Sequence, residues 1–178
     1  MIWFTSDFHI GDTRMLETRE IFSSLEDMEK ALIDNYNKRV GKNDIVWLIG
    51  DIVGDIDTAL RIFPKLNGQK SYVIGNHDRK WIRDKRAREL FCSIYESTVE
   101  VIENTPVSIS HYPLYEWYKS KYGGVLIHGH MHSETIELPF YKDFCAYDVS
   151  VEKNGYMPVS WDEIVNHFEQ DGKKVLKL

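Results

Sequence analysis

An α/β fold is predicted for this chain of 178 residues from three observations. Short runs of β-branched and aromatic residues have the length of buried strands, and segments with apolar residues at helical spacing alternate with some of them. Five strand-like runs end in residues that can bind metal ions, and in α/β sheets ligands gather at the carboxyl ends of strands. The 43% of hydrophobic residues suffices for one core, so we expect a single domain over residues 1–178.

Composition gives no sign of a membrane or secreted protein. The net charge of −6 provides no general attraction to nucleic acid or anionic lipid, so a nucleic-acid role would need a local basic patch. Cys92 and Cys145 lie far apart and in no metal-binding pattern, which favours buried thiols over a disulfide. The apolar run at residues 1–4 is too short for a signal peptide, and no run has membrane-spanning length. We therefore expect a cytoplasmic protein.

Eight runs are predicted as strands. Several of them are largely apolar, as buried strands are, whereas residues 99–102 alternate like a strand with one buried face. The eight are residues 2–5, 44–49, 71–74, 99–102, 107–110, 123–127 and 146–151, and a short strand after a turn at residues 171–172.

Three helices are predicted from capping signals and from apolar residues at helical spacing. The first covers residues 25–40 and follows two serines, either of which can begin a capping box. The second is short, includes residues 59–63 and has Asp57 as its cap. The third begins at a capping box that starts with Ser160 and continues through Phe168.

The most informative stretch is residues 71–78, an apolar strand followed by Gly75, Asn76, His77 and Asp78. Packing requires no such row of an amide, an imidazole and a carboxylate. A site that holds a divalent metal ion beside a proton donor can use all three groups. The stretch therefore predicts a metal site, provided that other parts of the chain supply further ligands.

Four other strands also end in groups that bind metal ions. Any one of them could be an ordinary polar strand end, and His128 alone is expected to be a packed histidine within its strand. Residues two apart at a strand end point their side chains the same way, as in the pairs Asp7 with His9 and His130 with His132. One convergent site explains the whole set, which comprises Asp7 and His9, Asp51, His111, and His130 and His132.

The ligand types indicate which metals would bind. Imidazole, carboxylate and amide groups without a thiolate favour Mn, Fe, Zn, Co or Ni, with Mn preferred, over an all-oxygen Mg or Ca site. Seven candidate ligands are too many for one ion that also keeps an open position. Two divalent transition-metal ions that share one carboxylate fit this number better.

The order of the motifs, Asp-x-His, Gly-Asp, Gly-Asn-His-Asp, His and Gly-His-x-His, resembles the calcineurin-like metallophosphoesterase superfamily from Asp7 to His132. The chain length, residues 22–28 and residues 149–164 are most similar to its small bacterial and phage-type phosphoesterases. The resemblance implies a β-sandwich of mixed sheets flanked by helices, with the site at one edge. It also implies hydrolysis of a phosphodiester or phosphomonoester, nucleotide-type or small, by in-line attack of a hydroxide that bridges two metal ions.

The resemblance further implies a role for each motif residue. Many members carry an aspartate three residues after the bridging one, where it orients the catalytic histidine, but this chain has Gly54 there. Asp55, Asp78 or a backbone carbonyl could orient that histidine instead. The implied roles are Asp7, His9 and His132 at the first metal, Asn76, His111 and His130 at the second, Asp51 as the bridge, and His77 as the general acid.

Alternatives stay open at this point. Residues 79–88 are rich in lysine and arginine, which favours a solvated face, although Arg79 is also a candidate substrate contact beside the site. A nuclease of the same superfamily could use these charges and the aromatic residues of segment 112–122 to hold a strand. A non-catalytic metal-binding scaffold is the third hypothesis. Small relatives often pair, so a homodimer is considered, although no stretch of the sequence indicates an interface.

Overall fold

The structure is a computed structural model that describes residues 1–134 and 139–178. Its strands, in chain order, are β1 (Ile2–Thr5), β2 (Ile45–Ile49), β3 (Gln69–Val73), β4 (Ser93–Tyr95), β5 (Ser97–Ile102), β6 (Thr105–Ser110), β7 (Val125–His128), β8 (Ala146–Asp148) and β9 (Val159–Ser160). Its α-helices are α1 (Met15–Thr18), α2 (Leu25–Arg39), α3 (Ile56–Ile62) and α4 (Trp161–Gln170). Short 3₁₀ helices cover Phe63–Lys65, Trp81–Arg83, Lys85–Leu90, Ser120–Tyr122, Pro139–Lys142 and Val151–Asn154.

The strands form two mixed sheets. In the first sheet the order is β4-β3-β2-β1-β9, with β1 to β4 parallel and β9 antiparallel to β1. In the second sheet the order is β5-β6-β7-β8, with β5 antiparallel to β6 and the other pairs parallel. Because parallel neighbours end at the same edge of a sheet, the loops after β1, β2 and β3, and those after β6 and β7, emerge side by side.

A core between the two sheets joins them into a sandwich. Phe4, Ile49 and Val73 of the first sheet belong to one apolar cluster with Val107 and Ile127 of the second. All five side chains are fully buried, and burial of such a side chain contributes about 1.5–3 kcal/mol. The predicted β-sandwich is confirmed.

The other face of the first sheet is covered by helices. Met28, Leu32 and Tyr36 line one side of α2 and pack in a second apolar cluster with Val46 and Leu48. This is the apolar stripe that the helical spacing predicted. The sandwich therefore carries a helical layer outside the first sheet, as the expected flanking helices require.

The helix caps match the predictions in part. Ser24 caps α2, since its hydroxyl accepts a hydrogen bond from the backbone nitrogen of Asp27 at 3.1 Å. The predicted cap of the second helix is wrong. Asp55, not Asp57, accepts from the backbone nitrogen of Thr58 at 2.9 Å and begins α3. Both aspartates precede the apolar residues of this helix, and only the extended backbone of the first suits a cap.

The end of the chain also differs from the prediction. The last eight residues contain no strand, and isolated backbone hydrogen bonds, such as Leu176 N to Gly123 O at 2.8 Å, replace a ladder. β8 ends at Asp148 because Val151–Asn154 turns into a 3₁₀ helix. α4 starts as predicted, at a complete capping box of Ser160 and Glu163.

β4 and β9 were not predicted. They have only three and two residues, too few for a pattern to show. Within the described ranges, no helix combines the length and the apolar composition that crossing a membrane requires.

Candidate metal centre

Five loops bring the predicted site residues together at one edge of the sandwich. Backbone hydrogen bonds join neighbouring loops: the nitrogen of Asp7 donates to the oxygen of Gly50 at 3.1 Å, and the nitrogen of His9 donates to the oxygen of Asp51 at 3.0 Å. Across the second sheet, Gly129 N donates to the oxygen of His111 at 3.1 Å. The loops therefore hold one another, and the site is built on the ends of rigid strands.

The backbone is bent into the left-handed region at the site. Nine non-glycine residues in the described part of the chain have positive φ angles, and five of the nine are predicted metal ligands. Such angles are uncommon for residues with a Cβ and persist only where the surroundings impose them. Because five of these strained residues lie at one site, we infer that the fold tolerates local backbone strain there in order to orient their side chains. The five residues are Asp7 (61°), His9 (51°), Asp51 (56°), His130 (73°) and His132 (49°).

Two glycines leave room for the carboxylates. A Cβ on Gly75 would lie 2.7 Å from Cγ of Asp51, and a Cβ on Gly129 would lie 2.6 Å from Oδ2 of Asp7. Both separations are shorter than any ordinary carbon contact. The glycines of the Gly-Asn-His-Asp and Gly-His-x-His motifs are therefore required by close approach to the opposite sheet or loop.

The first group of side chains consists of Asp7, His9 and His132. Oδ1 of Asp7 lies 3.8 Å from Nε2 of His9 and 3.7 Å from Nε2 of His132. The two imidazole rings lie 4.9 Å apart between centroids. Each residue directs one ligand atom to a common point, and the three atoms could hold one metal ion.

A second group forms around His111. Nε2 of His111 lies 3.0 Å from Oδ1 of Asn76, and the rings of His111 and His130 are 5.1 Å apart. Asp51, His111 and His130 direct ligand atoms to one point and could hold a second ion. The amide oxygen of Asn76 completes the set of side chains on this side.

Asp51 lies between the two groups. Its Oδ2 is 3.9 Å from Nε2 of His9 and 3.3 Å from Nε2 of His111. A single carboxylate thus faces both clusters, which is the position expected of a bridging ligand. The structure brings all seven predicted ligands into one connected site.

The buried polar atoms of the first group fit a cation. Oδ1 of Asp7 and Nε2 of His9 are buried, and within the described residues neither has a hydrogen-bond partner. An unsatisfied buried polar atom costs about 1–3 kcal/mol, and more if it is charged. Ligand atoms bound at about 2.1 Å to one ion lie about 3–3.4 Å apart, close to the observed spacing. A metal ion between these atoms would satisfy both of them.

Hydrogen bonds to Nδ1 of His111 and of His132 determine which ring nitrogen of each imidazole faces the site. Nδ1 of His111 lies 2.9 Å from the backbone oxygen of Ile49, and Nδ1 of His132 lies 2.8 Å from Oε1 of Glu152. A carbonyl or carboxylate oxygen can only accept, so each Nδ1 carries the hydrogen. In the neutral form of each ring, Nε2 therefore has its lone pair on the side of the site, and this is the form that binds metals.

The charges of the site favour a cation. Burial would raise the pKa of Asp7, but the imidazoles of His9, His111 and His132 outweigh it and hold that pKa well below its usual range. Burial would lower the pKa of His111, yet its hydrogen bond to Asp51 and the charges of Asp7 and Asp51 raise it to about 9. Carboxylates that stay ionised thus attract positive charge to this point.

Arg19 and Glu152 were not predicted as part of the site. The buried guanidinium of Arg19 donates from Nη2 to the backbone oxygen of Asp7 at 2.6 Å and from Nη1 to that of Phe8 at 2.7 Å. It also donates from Nε to Glu152 at 2.9 Å. Arg19 carried no sequence signal, whereas Glu152 follows β8 within a segment that already resembled the small phosphoesterases.

His77 lies beside the first group. Its exposed imidazole packs edge to face against His9 at 4.9 Å, and its backbone nitrogen donates to Oδ1 of Asp51 at 2.9 Å. Within the described residues, no hydrogen bond holds the ring itself. Asp55 caps α3, so it does not take the place of the aspartate missing at position 54.

The carboxylate of Asp78, like that of Asp55, forms hydrogen bonds with groups other than the ring of His77. Its Oδ2 accepts from the backbone nitrogens of Asp51 at 3.0 Å and Gly75 at 2.7 Å, and its Oδ1 accepts from Nε1 of Trp81 at 3.0 Å. Burial, together with the charge of Asp51, raises the pKa of Asp78 to about 6. Asp78 thus supports the loop of Asp51 and does not orient His77.

Two further sequence predictions concern residues near the site. The side chain of Arg79 is 53% exposed, so a substrate can reach it, although its Nη2 also lies 3.6 Å from Oε2 of Glu96. His128 is buried within β7, as predicted for a packed histidine.

The chain is similar to known proteins over nearly its whole length. A family model described as calcineurin-like phosphoesterase matches residues 1–174. The Gene 66 protein of Mycobacterium phage L5 is 32% identical over 95% of this chain and 96% of its own length. An uncharacterised protein of Methanocaldococcus jannaschii is 32% identical over 98% of this chain and 94% of its own.

The fold is similar to that of a solved structure. A protein of unknown function from Aquifex aeolicus superposes with a TM-score of 0.73 at 26% identity, over 94% of this chain and 98% of that one. The similarity thus extends over nearly the whole of both chains.

Proposed function

The chain belongs to the calcineurin-like phosphoesterase family, and we propose that it hydrolyses phosphodiesters of a nucleotide-type or other small substrate with two divalent metal ions. The observation that carries the proposal is the position of Asp51, whose Oδ2 faces His9 at 3.9 Å and His111 at 3.3 Å. A carboxylate that faces two ligand groups supports a two-metal site. Phosphomonoesters are the second substrate class to test.

Each ligand group would hold one ion. Because the amide of Asn76 is neutral, the second group has less negative charge of its own and depends on Asp51. We propose manganese as the metal for both positions, with Fe, Zn, Ni and Co as alternatives to compare. The proposed ligands are Asp7, His9 and His132 at the first ion, Asn76, His111 and His130 at the second, and Asp51 at both.

Two bound cations would supply a water of lowered pKa and neutralise the charge of the phosphoryl oxygens. His77 would donate a proton to the departing oxygen, since its imidazole is exposed beside the first group and an imidazole can act as a general acid. The hydrogen bond from its backbone nitrogen to Oδ1 of Asp51 supports this role, because it keeps His77 beside the proposed bridging carboxylate. The absence of a hydrogen bond to the ring within the described residues leaves it able to approach the substrate.

The test measures metal content and turnover on the same sample. Protein purified without chelator is expected to contain about two transition-metal ions per chain and to hydrolyse an aryl phosphodiester when manganese is added. Asp51→Asn and His77→Ala should each reduce kcat by at least about 100-fold. His167→Ala, on the exposed side of α4, is the matched control and should keep wild-type activity.

Two results would overturn the proposal. Full activity in both variants would show that neither residue has its proposed role. Stoichiometric metal without turnover of any phosphoester would favour the non-catalytic scaffold. The cytoplasmic location and a homodimer stay predictions from the sequence.

A further inference from the structure

A groove of about 510 Å³ lies beside the metal centre, a volume typical of a ligand site. Arg79, Arg83 and Arg88 line it, and Ile82, Phe91 and Cys92 contribute to its walls. We define these six residues as the arginine groove. Its position at the edge strand β4 of the first sheet leaves it open to solvent.

The groove contains the arginines that lack a carboxylate partner in the described part of the chain. All eight arginines of the sequence are described, and six of them have a carboxylate oxygen within 4.0 Å. Arg83 and Arg88 are the two without such a partner in the described residues, and both line the groove. In a chain with 28 acidic residues and a net charge of −6, two neighbouring unpaired guanidinium groups indicate an external anion.

Arg86 shows that the pattern is specific to the groove. It lies in the same 3₁₀ helix, Lys85–Leu90, as Arg88. Its Nη2 lies 2.8 Å from Oδ2 of Asp84, and it does not line the groove. Arg86, which does not line the groove, is thus paired within the fold. Of the three arginines that line the groove, Arg79 pairs with Glu96 at 3.6 Å, whereas Arg83 and Arg88 have no carboxylate partner in the described residues.

Asp78 connects the groove to the metal centre. One of its oxygens accepts from the backbone of Asp51, and the other accepts from Nε1 of Trp81, which begins the 3₁₀ helix that ends at Arg83. Arg79 follows His77 by two residues. A substrate with its scissile phosphate at the metal ions could therefore extend past His77 into the groove.

The groove has a firm apolar wall. Phe91 packs against Tyr72 at 4.6 Å and Phe63 at 4.8 Å between ring centroids, so its position is set by the core. Arginine binds phosphate through two parallel hydrogen bonds, which gives direction as well as charge. Apolar walls with guanidinium groups between them suit the alternation of phosphates and less polar groups along a nucleotide chain.

We propose that the arginine groove binds a further phosphate of the substrate, beyond the one that is hydrolysed, so that the physiological substrate carries several phosphates. This inference rests on the proposed function. A nucleoside triphosphate and a short single-stranded oligonucleotide share this chemistry, and the experiment separates them.

The first experiment compares three substrates in the wild type and in the double variant Arg83→Gln/Arg88→Gln. The substrates are an aryl phosphodiester, a nucleoside triphosphate and a single-stranded octanucleotide. For a substrate that occupies the groove, kcat/KM should fall about tenfold or more, mainly through KM, and its salt dependence should weaken. The aryl phosphodiester carries no second phosphate that could bind in the groove, so the double variant should hydrolyse it as the wild type does. Arg86→Gln is the matched control.

The results distinguish a failure of the proposed phosphoesterase function from a failure of the groove proposal. If the wild type hydrolyses none of the three substrates, the proposed function fails. If it hydrolyses the aryl phosphodiester but the double variant matches Arg86→Gln on both multi-phosphate substrates, the groove proposal fails. A selective loss on the octanucleotide would favour the nuclease hypothesis, and a selective loss on the triphosphate would favour a nucleotide substrate.

A second experiment detects binding without turnover. Cys92 lies exposed in the groove, whereas Cys145 is buried. The rate at which iodoacetamide modifies Cys92 is measured by mass spectrometry in the presence of EDTA, with unmodified Cys145 as proof that the fold is retained. The octanucleotide or the triphosphate should slow this reaction several-fold in the wild type and not in the double variant. Equal rates with and without both compounds would overturn the proposal.

Discussion

Oε1 of Glu152 lies 2.8 Å from Nδ1 of His132, so a carboxylate supports this imidazole from behind. On the other side of the ring, Nε2 faces Oδ1 of Asp7 at 3.7 Å. Burial would lower the pKa of His132, but the hydrogen bond to Glu152 and the charge of Asp7 outweigh it and raise that pKa. Glu152 therefore fixes both the tautomer and the orientation of a proposed metal ligand, as carboxylates behind histidine ligands commonly do.

Removal of this carboxylate should weaken metal binding. We expect Glu152→Gln to lower the affinity of the first metal position by about 10–100-fold, because an amide can also present a donor to Nδ1. The measurement is a manganese titration against a competing chelator. Glu116→Gln is the control, since Glu116 is exposed and its only ion pair within the described residues is to Lys121 at 3.7 Å. Equal affinity in wild type and Glu152→Gln would show that Glu152 does not support a ligand.

Arg19 should be required for folding as well as for the site. It is 1% exposed and holds the backbone of Asp7 and Phe8 together with the carboxylate of Glu152. Arg19→Met leaves Glu152 without its cationic partner and two backbone oxygens without donors. We expect the free energy of unfolding to fall by about 3–5 kcal/mol in urea titrations. Arg14→Met, at an exposed arginine, should change it by less than about 0.5 kcal/mol.

A double variant tests the cause of that loss. In Arg19→Met/Glu152→Gln the carboxylate that Arg19 neutralises is also removed. The double variant should therefore lose less stability than the sum of the two single variants, by about 1–2 kcal/mol. Strict additivity would mean that Arg19 acts through the backbone of Asp7 and Phe8 alone.

The sequence was sufficient to predict which side chains the structure brings together, because the proposed ligands follow directly after strands. Asp7, Asp51 and His111 each end an apolar run, and the carboxyl ends of parallel strands share an edge in any α/β sheet. The position of these residues at the ends of apolar runs was therefore enough to predict that they share one edge of the fold. The structure does bring them close to one another.

The support of the site could not be predicted in the same way. Arg19 and Glu152 are hydrogen-bonded although 133 positions separate them in the sequence, and no sequence motif predicts a contact between them. Short strands such as β9 and the choice of Asp55 over Asp57 as a cap depend on tertiary contacts and on backbone angles. These are determined by packing, which a single sequence does not display.

Gly129 should be intolerant of any side chain. Its Cβ position lies 2.6 Å from Oδ2 of Asp7, which also accepts a hydrogen bond from Ser150 at 3.1 Å. We expect Gly129→Ala to displace Asp7 and to reduce kcat/KM on the aryl phosphodiester by about 100-fold, since a shift of about 1 Å at a catalytic site has this effect. Gly54→Ala is the matched control, because nothing lies within 4 Å of its Cβ position. Normal activity of Gly129→Ala would show that Asp7 does not have to stay in place.

Asp44 should contribute stability that depends on pH. Its Oδ2 accepts from the backbone nitrogen of Gly41 at 2.8 Å and from Nε1 of Trp3 at 2.9 Å, which ties the end of α2 to β1. The backbone of Gly41, the amino group of Met1 and the indole of Trp3 lower the pKa of Asp44 to about 2. Because the folded pKa lies below the ordinary value near 3.8, the contribution is complete above pH 4 and is lost as the pH falls toward 2.

The variant Asp44→Asn removes this titration. We expect it to be less stable than the wild type by about 1–2 kcal/mol in urea at pH 7, because the hydrogen bonds to a charged acceptor are lost. The difference should stay constant from pH 7 to pH 5 and shrink between pH 4 and pH 3. Asp34→Asn is the control, since the carboxylate of Asp34 is exposed and forms an ion pair with Lys30. A difference that is the same at pH 3 and pH 7 would mean that the lost stability comes from packing of the side chain and not from its charge.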